Sequence, residues 1–324
     1  MQQEIRFATF NAFNLAPPGA RLYDNLEPIT EELYQAKLDW TARQLDMIDA
    51  DVVGFQEIFS QSALREVLAR TRRYREATLL GFDPDADADR LTPSVALVSR
   101  LPLVSPGALL PNFPPGIETP AGTRDPHRFT RAPLHAAIAL TPDLIIDVLV
   151  VHLKSRRPDY RNGDTSDDPQ LFALACLRSL IRRGTEAAAL RVLLTDLARA
   201  TRRPRIVLGD FNDVADSVTT DIVLGNGTCP AVRMFDACQL QRRQDRLRHV
   251  GFSIVHEGHY TTIDHILVSE DFNAALPNAI GEVVEVLYLN DHLELDLPEA
   301  SDHGQVVARI RLFDEGHGLI DAGL

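Results

Sequence analysis

Along the chain, short apolar runs rich in Val, Ile and Leu are separated by turn residues, at 5–10, 52–55, 94–99, 136–140, 145–151, 206–208, 263–268 and 306–310. Their length and composition predict strands. Two stretches carry a helical period instead. The first spans 30–49 and sets Leu33, Lys37, Trp40, Leu45 and Ile48 roughly on one face. The second opens at Asp168-Pro169, a good N-cap followed by proline at the first helical position, and continues through Leu171, Leu174, Leu177 and Ile181. Gly184 is expected to break or kink it before Leu190, Leu193 and Leu197. Strands mixed with helices over the full length, with no linker and no repeat, predict one α/β domain over residues 1–324.

Composition narrows the class. With 45% hydrophobic and 24% charged residues, and only 18 Gly and 20 Pro, the chain is globular rather than collagen-like or disordered. Its 33 basic and 46 acidic groups leave a net charge of -13, so a polyanionic partner would need a local positive patch or a metal ion. Cys176, Cys229 and Cys238 form neither a CxxC nor an even set, which gives no support to a disulfide framework or a zinc knuckle. No leader or transmembrane segment is visible, because the apolar stretch 5–15 is short and broken by Arg6 and two asparagines. A cytoplasmic protein is the expectation, although a secreted chain trimmed of its leader would read the same. Nothing in the sequence sets an oligomeric state. Asp83, Asp85, Asp87 and Asp89 alternate as calcium ligands do, but Ala88 replaces the turn glycine and Ser94 the bidentate glutamate. That segment reads as a solvated loop.

The candidate chemistry lies at strand ends. Asn11, Glu57, His152, Asp210 and Asn212 follow apolar runs, Asp264 and His265 lie within the run at 263–268, and Asp302-His303 precedes the last one. Strand ends are where distant segments of an α/β fold converge on a site. Each residue alone has an ordinary explanation: an Asx turn for Asp210, a turn cap for Asn11 or Asn212, a helix first-turn acid for Glu57, a satisfied structural histidine for the rest. Their joint recurrence points to a metal-binding or proton-moving centre.

These residues sit in motifs that resemble the endonuclease/exonuclease/phosphatase superfamily, whose fold is that of deoxyribonuclease I and exonuclease III. The resemblance runs over essentially the whole chain: Thr9-Phe10-Asn11, Phe55-Gln56-Glu57, Val95 to Arg100, Val151-His152-Leu153-Lys154-Ser155, Leu208-Gly209-Asp210-Phe211-Asn212-Asp213, Ile263 to Leu267 and Ser301-Asp302-His303. It implies a four-layer sandwich of two packed mixed β-sheets flanked by helices. It implies Glu57 as principal ligand of Mg²⁺, with Mn²⁺ as a possible substitute, and Asn11 and Asp302 beside the ion or its waters. His303 would take a proton from the attacking water, with Asp264 fixing its tautomer. Asp210 and Asn212 would orient the water or help the leaving oxygen, and His152 and Asn212 would donate to phosphoryl oxygens. The reaction is then in-line attack of water on phosphorus, without a covalent intermediate. His265, where relatives have an aromatic, should point away from the site and be structural. Lys154 and Arg131 are each a phosphate contact or an exposed salt bridge, and Tyr160 lies where some members place a phosphate-binding tyrosine.

The substrate is a phosphodiester, with nucleic acid expected first. Arg156, Arg157 and Arg161 could track a nucleic-acid backbone. The acidic stretch 291–299 and the net charge argue instead for a small-molecule or lipid-headgroup phosphate. A non-catalytic binding module of the same fold would be expected to have lost Glu57, Asp210 or His303, and all three are present.

Overall fold

The structure, a computed structural model, describes residues 3–83, 90–120, 123, 125–161, 164–227, 229–241, 251–295 and 297–314. Its strands in chain order are β1 Glu4–Leu15, β2 Val52–Ile58, β3 Thr78–Gly81, β4 Ser94–Ser99, β5 Ala108–Leu109, β6 Leu134–Ala139, β7 Ile145–His152, β8 Arg205–Asp210, β9 Met234–Asp236, β10 Ile254–His256, β11 His259–Thr261, β12 Asp264–Ser269, β13 Gly281–Leu289 and β14 Gln305–Leu312. The helices are α1 Glu31–Ile48, α2 Gln61–Arg70, α3 Pro169–Thr201, α4 Val218–Leu224 and α5 Ala237–Leu240.

Two six-stranded sheets result, ordered β13-β14-β1-β2-β4-β3 and β5-β6-β7-β8-β12-β9, while β10 and β11 form a separate ribbon. Both sheets are mixed: β1–β2 and β7–β8 run parallel and the other pairs antiparallel. Their inner faces share a core that includes Phe7, Val52, Leu97, Val148, Val150, Leu208, Ile266 and Ile310, all buried. The sheets approach closely at Gly54, where a Cβ would meet Leu208 Cβ at 2.8 Å. Helices α1 and α2 cover the outer face of the first sheet, and α3 and α4 that of the second. This is the expected four-layer sandwich.

The helix starts also agree. Thr30 Oγ1 accepts the Leu33 N–H at the head of α1, and the Asp168 carboxylate accepts the Gln170 and Leu171 N–H groups at the head of α3. Gly184, however, does not break the helix: α3 runs for 33 residues. Leu174 and Leu177 are about half exposed, and the face turned inward over that half carries Ala175, Ser179, Arg183 and Glu186. Those polar groups satisfy the loop after β7: Glu186 accepts the Lys154 N–H at 2.8 Å, and Ser179 donates to the Arg157 carbonyl. Hydrogen bonds to otherwise unpaired backbone outweigh apolar burial there. Strand β13 went unread because Glu282 and Glu285 interrupt its apolar run, and both pair across to arginines of β14. Asp83 accepts the Gln61 N–H at 2.6 Å, while Asp85, Asp87 and Asp89 lie outside the described residues.

Candidate active site

Strand register builds one half of the site. Asp210, at the end of β8, is paired with His152 of β7 on one side and Asp264 of β12 on the other, so three polar groups form a row across the second sheet. His152 Nε2 lies 3.3 Å from Asp210 Oδ2. Asp264 Oδ2 lies 2.8 Å from His303 Nδ1, in the turn that leads into β14. That contact places a proton on Nδ1 and turns Nε2 toward Asn11 Nδ2 at 3.5 Å and Asp302 Oδ1 at 3.9 Å.

The other half comes from the first sheet. Asn11 of β1 donates to Asp210 Oδ2 at 3.1 Å and to Glu57 Oε1 at 3.4 Å, tying the two sheets together. Its side-chain oxygen accepts the Phe13 N–H, so the amide presents nitrogen, not oxygen, to the carboxylates. Glu57 Oε2 accepts the Asn14 N–H at 3.0 Å. Phe13, Asn14, Glu57 and Asn212 all hold left-handed φ, between 49° and 59°. Such strain, of order 1–3 kcal/mol per residue, persists only where the surroundings enforce it. Asn212 donates its N–H to Asp210 Oδ1 at 2.8 Å and its amide to the Leu153 carbonyl at 3.0 Å.

Burial and charge divide the titrating groups. Burial, then Arg131, His303 and Lys154, hold His152 well below the ordinary imidazole range. His152 is therefore neutral. Burial, reinforced by Asp264, pushes Asp210 up to about 7. Burial also opposes a charge on His303, but Asp264, Asp302 and Asp210 outweigh it and keep its pKa well above the usual value.

Asp210, Asp264 and His303 offer ligand atoms all within 4.8 Å of one another, a set able to hold a metal ion. It differs from the expected cradle, in which Glu57 leads. Asp264 Oδ1 and His152 Nδ1 are buried without a partner among the described residues. Two carboxylates and an imidazole, with an orphaned carboxylate oxygen among them, form a donor set that fits a divalent cation.

Residues outside the expected set brace this geometry. Ser253 Oγ accepts the Ile263 and Asp264 N–H groups, and its carbonyl accepts Gly304 N–H at 2.7 Å, coupling β12 to the His303 turn. His292 Nε2 lies 3.0 Å from the His303 carbonyl, with its ring 5.0 Å from that of Trp40. Ser301 donates to the Asn11 carbonyl at 2.7 Å. Ser301 belongs to the Ser-Asp-His motif and was visible; Ser253 and His292 carried no local signal. His265 is buried, within 3.1 Å of Asp236 Oδ2 and 2.9 Å of the Asp213 carbonyl, as a structural residue should be.

The basic residues after His152 are placed differently. Lys154 forms no salt bridge among the described residues: its ammonium donates to the carbonyls of Ser155 and Arg157, and burial lowers its pKa to about 8. Arg131 donates to the Leu153 carbonyl at 3.2 Å. Arg156 pairs with Asp213, and Arg157 donates to Asn25 Oδ1 at 3.2 Å. Tyr160 is exposed. A cavity of about 620 Å³, lined by Lys154, Arg128, Arg161, Arg178 and Arg182 with Asp125 and Asp159, lies beside this segment. None of Glu57, Asp210, Asp264 or His303 lines it.

A family profile described as Endonuclease/Exonuclease/phosphatase family matches residues 8–303. The chain belongs to that family. Its members are phosphoester hydrolases. Among solved structures, an endonuclease/exonuclease/phosphatase from Bacteroides vulgatus is similar at a TM-score of 0.61 and 17% identity, covering 96% of this chain and 100% of that one. The human Nocturnin catalytic domain with bound sulfate gives 0.58 and 15%, over 96% and 98%. A mannosyl-6-phosphatase from Bacteroides thetaiotaomicron gives 0.58 and 16%, over 94% and 99%. At such identities the likeness is one of fold. The search of curated proteins finds no match. No helix among the described residues is long and apolar enough to cross a membrane.

Proposed function

We propose that the chain, acting as a single domain, is a divalent-metal-dependent phosphoester hydrolase in which His303 activates water for in-line attack on phosphorus. The observation that carries this reading is the His303–Asp264 contact at 2.8 Å, with Nε2 facing Asn11 and Asp302 and with Asp210 close by. Asp264 fixes the tautomer and stabilises the imidazolium formed when His303 accepts the proton. Neutral His152 and the Asn212 amide donate to phosphoryl oxygens as charge builds there. Asp210, whose raised pKa leaves it partly protonated near neutral pH, has a proton to deliver to the leaving oxygen. Glu57, with Asp302 beside it, would hold Mg²⁺ or Mn²⁺, which when bound neutralises phosphoryl charge and offsets the carboxylates that keep His303 protonated.

For the substrate we keep a phosphodiester with nucleic acid first, on the strength of Arg156, Arg157 and Arg161. The pairing of Arg156 with Asp213 favours a second reading, a small phosphoester, because a guanidinium neutralised by a carboxylate attracts a polyanion less. The test compares kcat/KM for an oligonucleotide and for bis-p-nitrophenyl phosphate at several salt concentrations. Replacing all three arginines by Ala should flatten the salt dependence on the oligonucleotide by about one unit of slope per lost phosphate contact, and leave the small diester unaffected. Equal, salt-insensitive behaviour of both proteins on both substrates would remove nucleic acid from first place.

A further inference from the structure

Only two of the 33 basic residues are lysines, and one of them, Lys37, is buried at 3% exposure on the sheet-facing side of α1. Its Nζ stands 5.3 Å from the centroid of the Phe13 ring. A cation over an aromatic face gains from the ring quadrupole without a hydrogen-bonding partner. Phe13 is itself clamped: it and Asn14 hold left-handed φ of 49° and 58°, the Phe13 N–H donates to Asn11 Oδ1, and the Asn14 N–H donates to Glu57 Oε2. The segment that carries the ring is therefore built on the same side chains that form the site. Asp302, Glu57 and Glu299 are the carboxylates that act on the buried ammonium, against the cost of its burial. Burying an ammonium is costly unless nearby carboxylates offset it. Here those carboxylates include the two expected to face the metal.

We propose that Lys37 is a positioning residue for the metal: its ammonium, propped on Phe13, sets a fixed positive charge beside the Glu57–Asp302 carboxylates, so that they accept one divalent ion and bind it reversibly. This rests on those two carboxylates as the metal-facing pair. Without the ion, the ammonium balances carboxylates that would otherwise repel each other. With the ion bound, the same charge repels it and opposes a second. Lysine suits the role because its ammonium is a compact point charge, whereas a guanidinium spreads its charge over a planar fork.

With two lysines in the chain, protein labelled with ¹³C and ¹⁵N only at lysine gives two side-chain signals, assigned by Lys154→Arg. Adding Mn²⁺ should broaden the Lys37 signal strongly. Calorimetry with Mn²⁺ should find one equivalent in the wild type, and Lys37→Met should bind on the order of tenfold tighter or take up a second equivalent, while Lys37→Arg stays close to wild type. A Lys37 signal unmoved by Mn²⁺, or a folded Lys37→Met with wild-type affinity and stoichiometry, overturns the assignment while leaving the metal reading intact. A wild type that binds no Mn²⁺ overturns both. Should Lys37→Met not fold, the labelled wild type decides alone.

Discussion

The two sheets contribute to the site in different ways. On the second sheet His152, Asp210 and Asp264 lie in one row fixed by backbone register, and all three are buried. On the first, Glu57 is held through strained turns, and Asp302, in the loop before β14, keeps about half of its side chain exposed. The buried row is where pKa values are driven apart, with His152 pushed down and Asp210 up. On the proposed mechanism, the more exposed side is where an ion and a substrate enter. A rigid, dry half suited to proton transfer thus faces an accessible half suited to binding, and Asn11, bonded to both Asp210 and Glu57, joins them.

The largest effect should come from the buried half. His303→Ala should lower kcat by about 10² or more with folding intact, and Asp264→Asn by nearly as much, because the amide leaves the wrong tautomer. Near wild-type turnover in either variant would remove that residue from its role.

Metal binding tests the division itself. Glu57→Gln should weaken Mn²⁺ binding by about 10- to 100-fold, while Asp264→Asn should change it much less. If calorimetry gives the reverse order, the ion sits on the Asp210, Asp264 and His303 set, and the two halves must be redrawn.

The pH profile is a sharper but smaller test. His303 must be neutral to accept a proton, and its raised pKa moves the acidic limb of kcat/KM upward. Asp302→Asn removes one of the carboxylates responsible, so the limb should move to lower pH. A limb that moves upward or not at all would contradict the electrostatic account.

Smallest is an effect on stability without substrate. The pKa of Asp210 is higher folded than unfolded, so its contribution is fully present below the unfolded value near 4 and lost as pH rises through about 7. Asp210→Asn should therefore stabilise the metal-free protein above pH 7, by on the order of 1 kcal/mol or more, and not at pH 4. Thermal unfolding at both pH values checks this. Equal effects at the two would point to packing instead of charge.

How much of this was legible in the sequence follows from the same contrast. The central strands read directly because both their faces are buried, as at Val52 to Phe55 and Ile206 to Leu208. The short strands β3, β5, β9, β10 and β11 have too few residues to show a period, and β13 hides behind glutamates that pair with Arg309 and Arg311. Site residues were visible where motif and strand end coincide, as in Asp210 and His303. Ser253 and His292 were not, because they act on backbone atoms distant in sequence, and such contacts leave no local pattern. The outer leucines of α3 show the converse: a helical period says that one face is apolar, not that this face is covered.

The most direct test of the central claim is hydrolysis of bis-p-nitrophenyl phosphate by chelator-treated protein, before and after addition of Mg²⁺ or Mn²⁺, in wild type and His303→Ala. The account predicts no p-nitrophenol release in excess chelator, recovery with either ion, and a recovered rate at least about 10² lower in the variant. Full activity in excess chelator, or equal metal-restored rates in the two proteins, would contradict it.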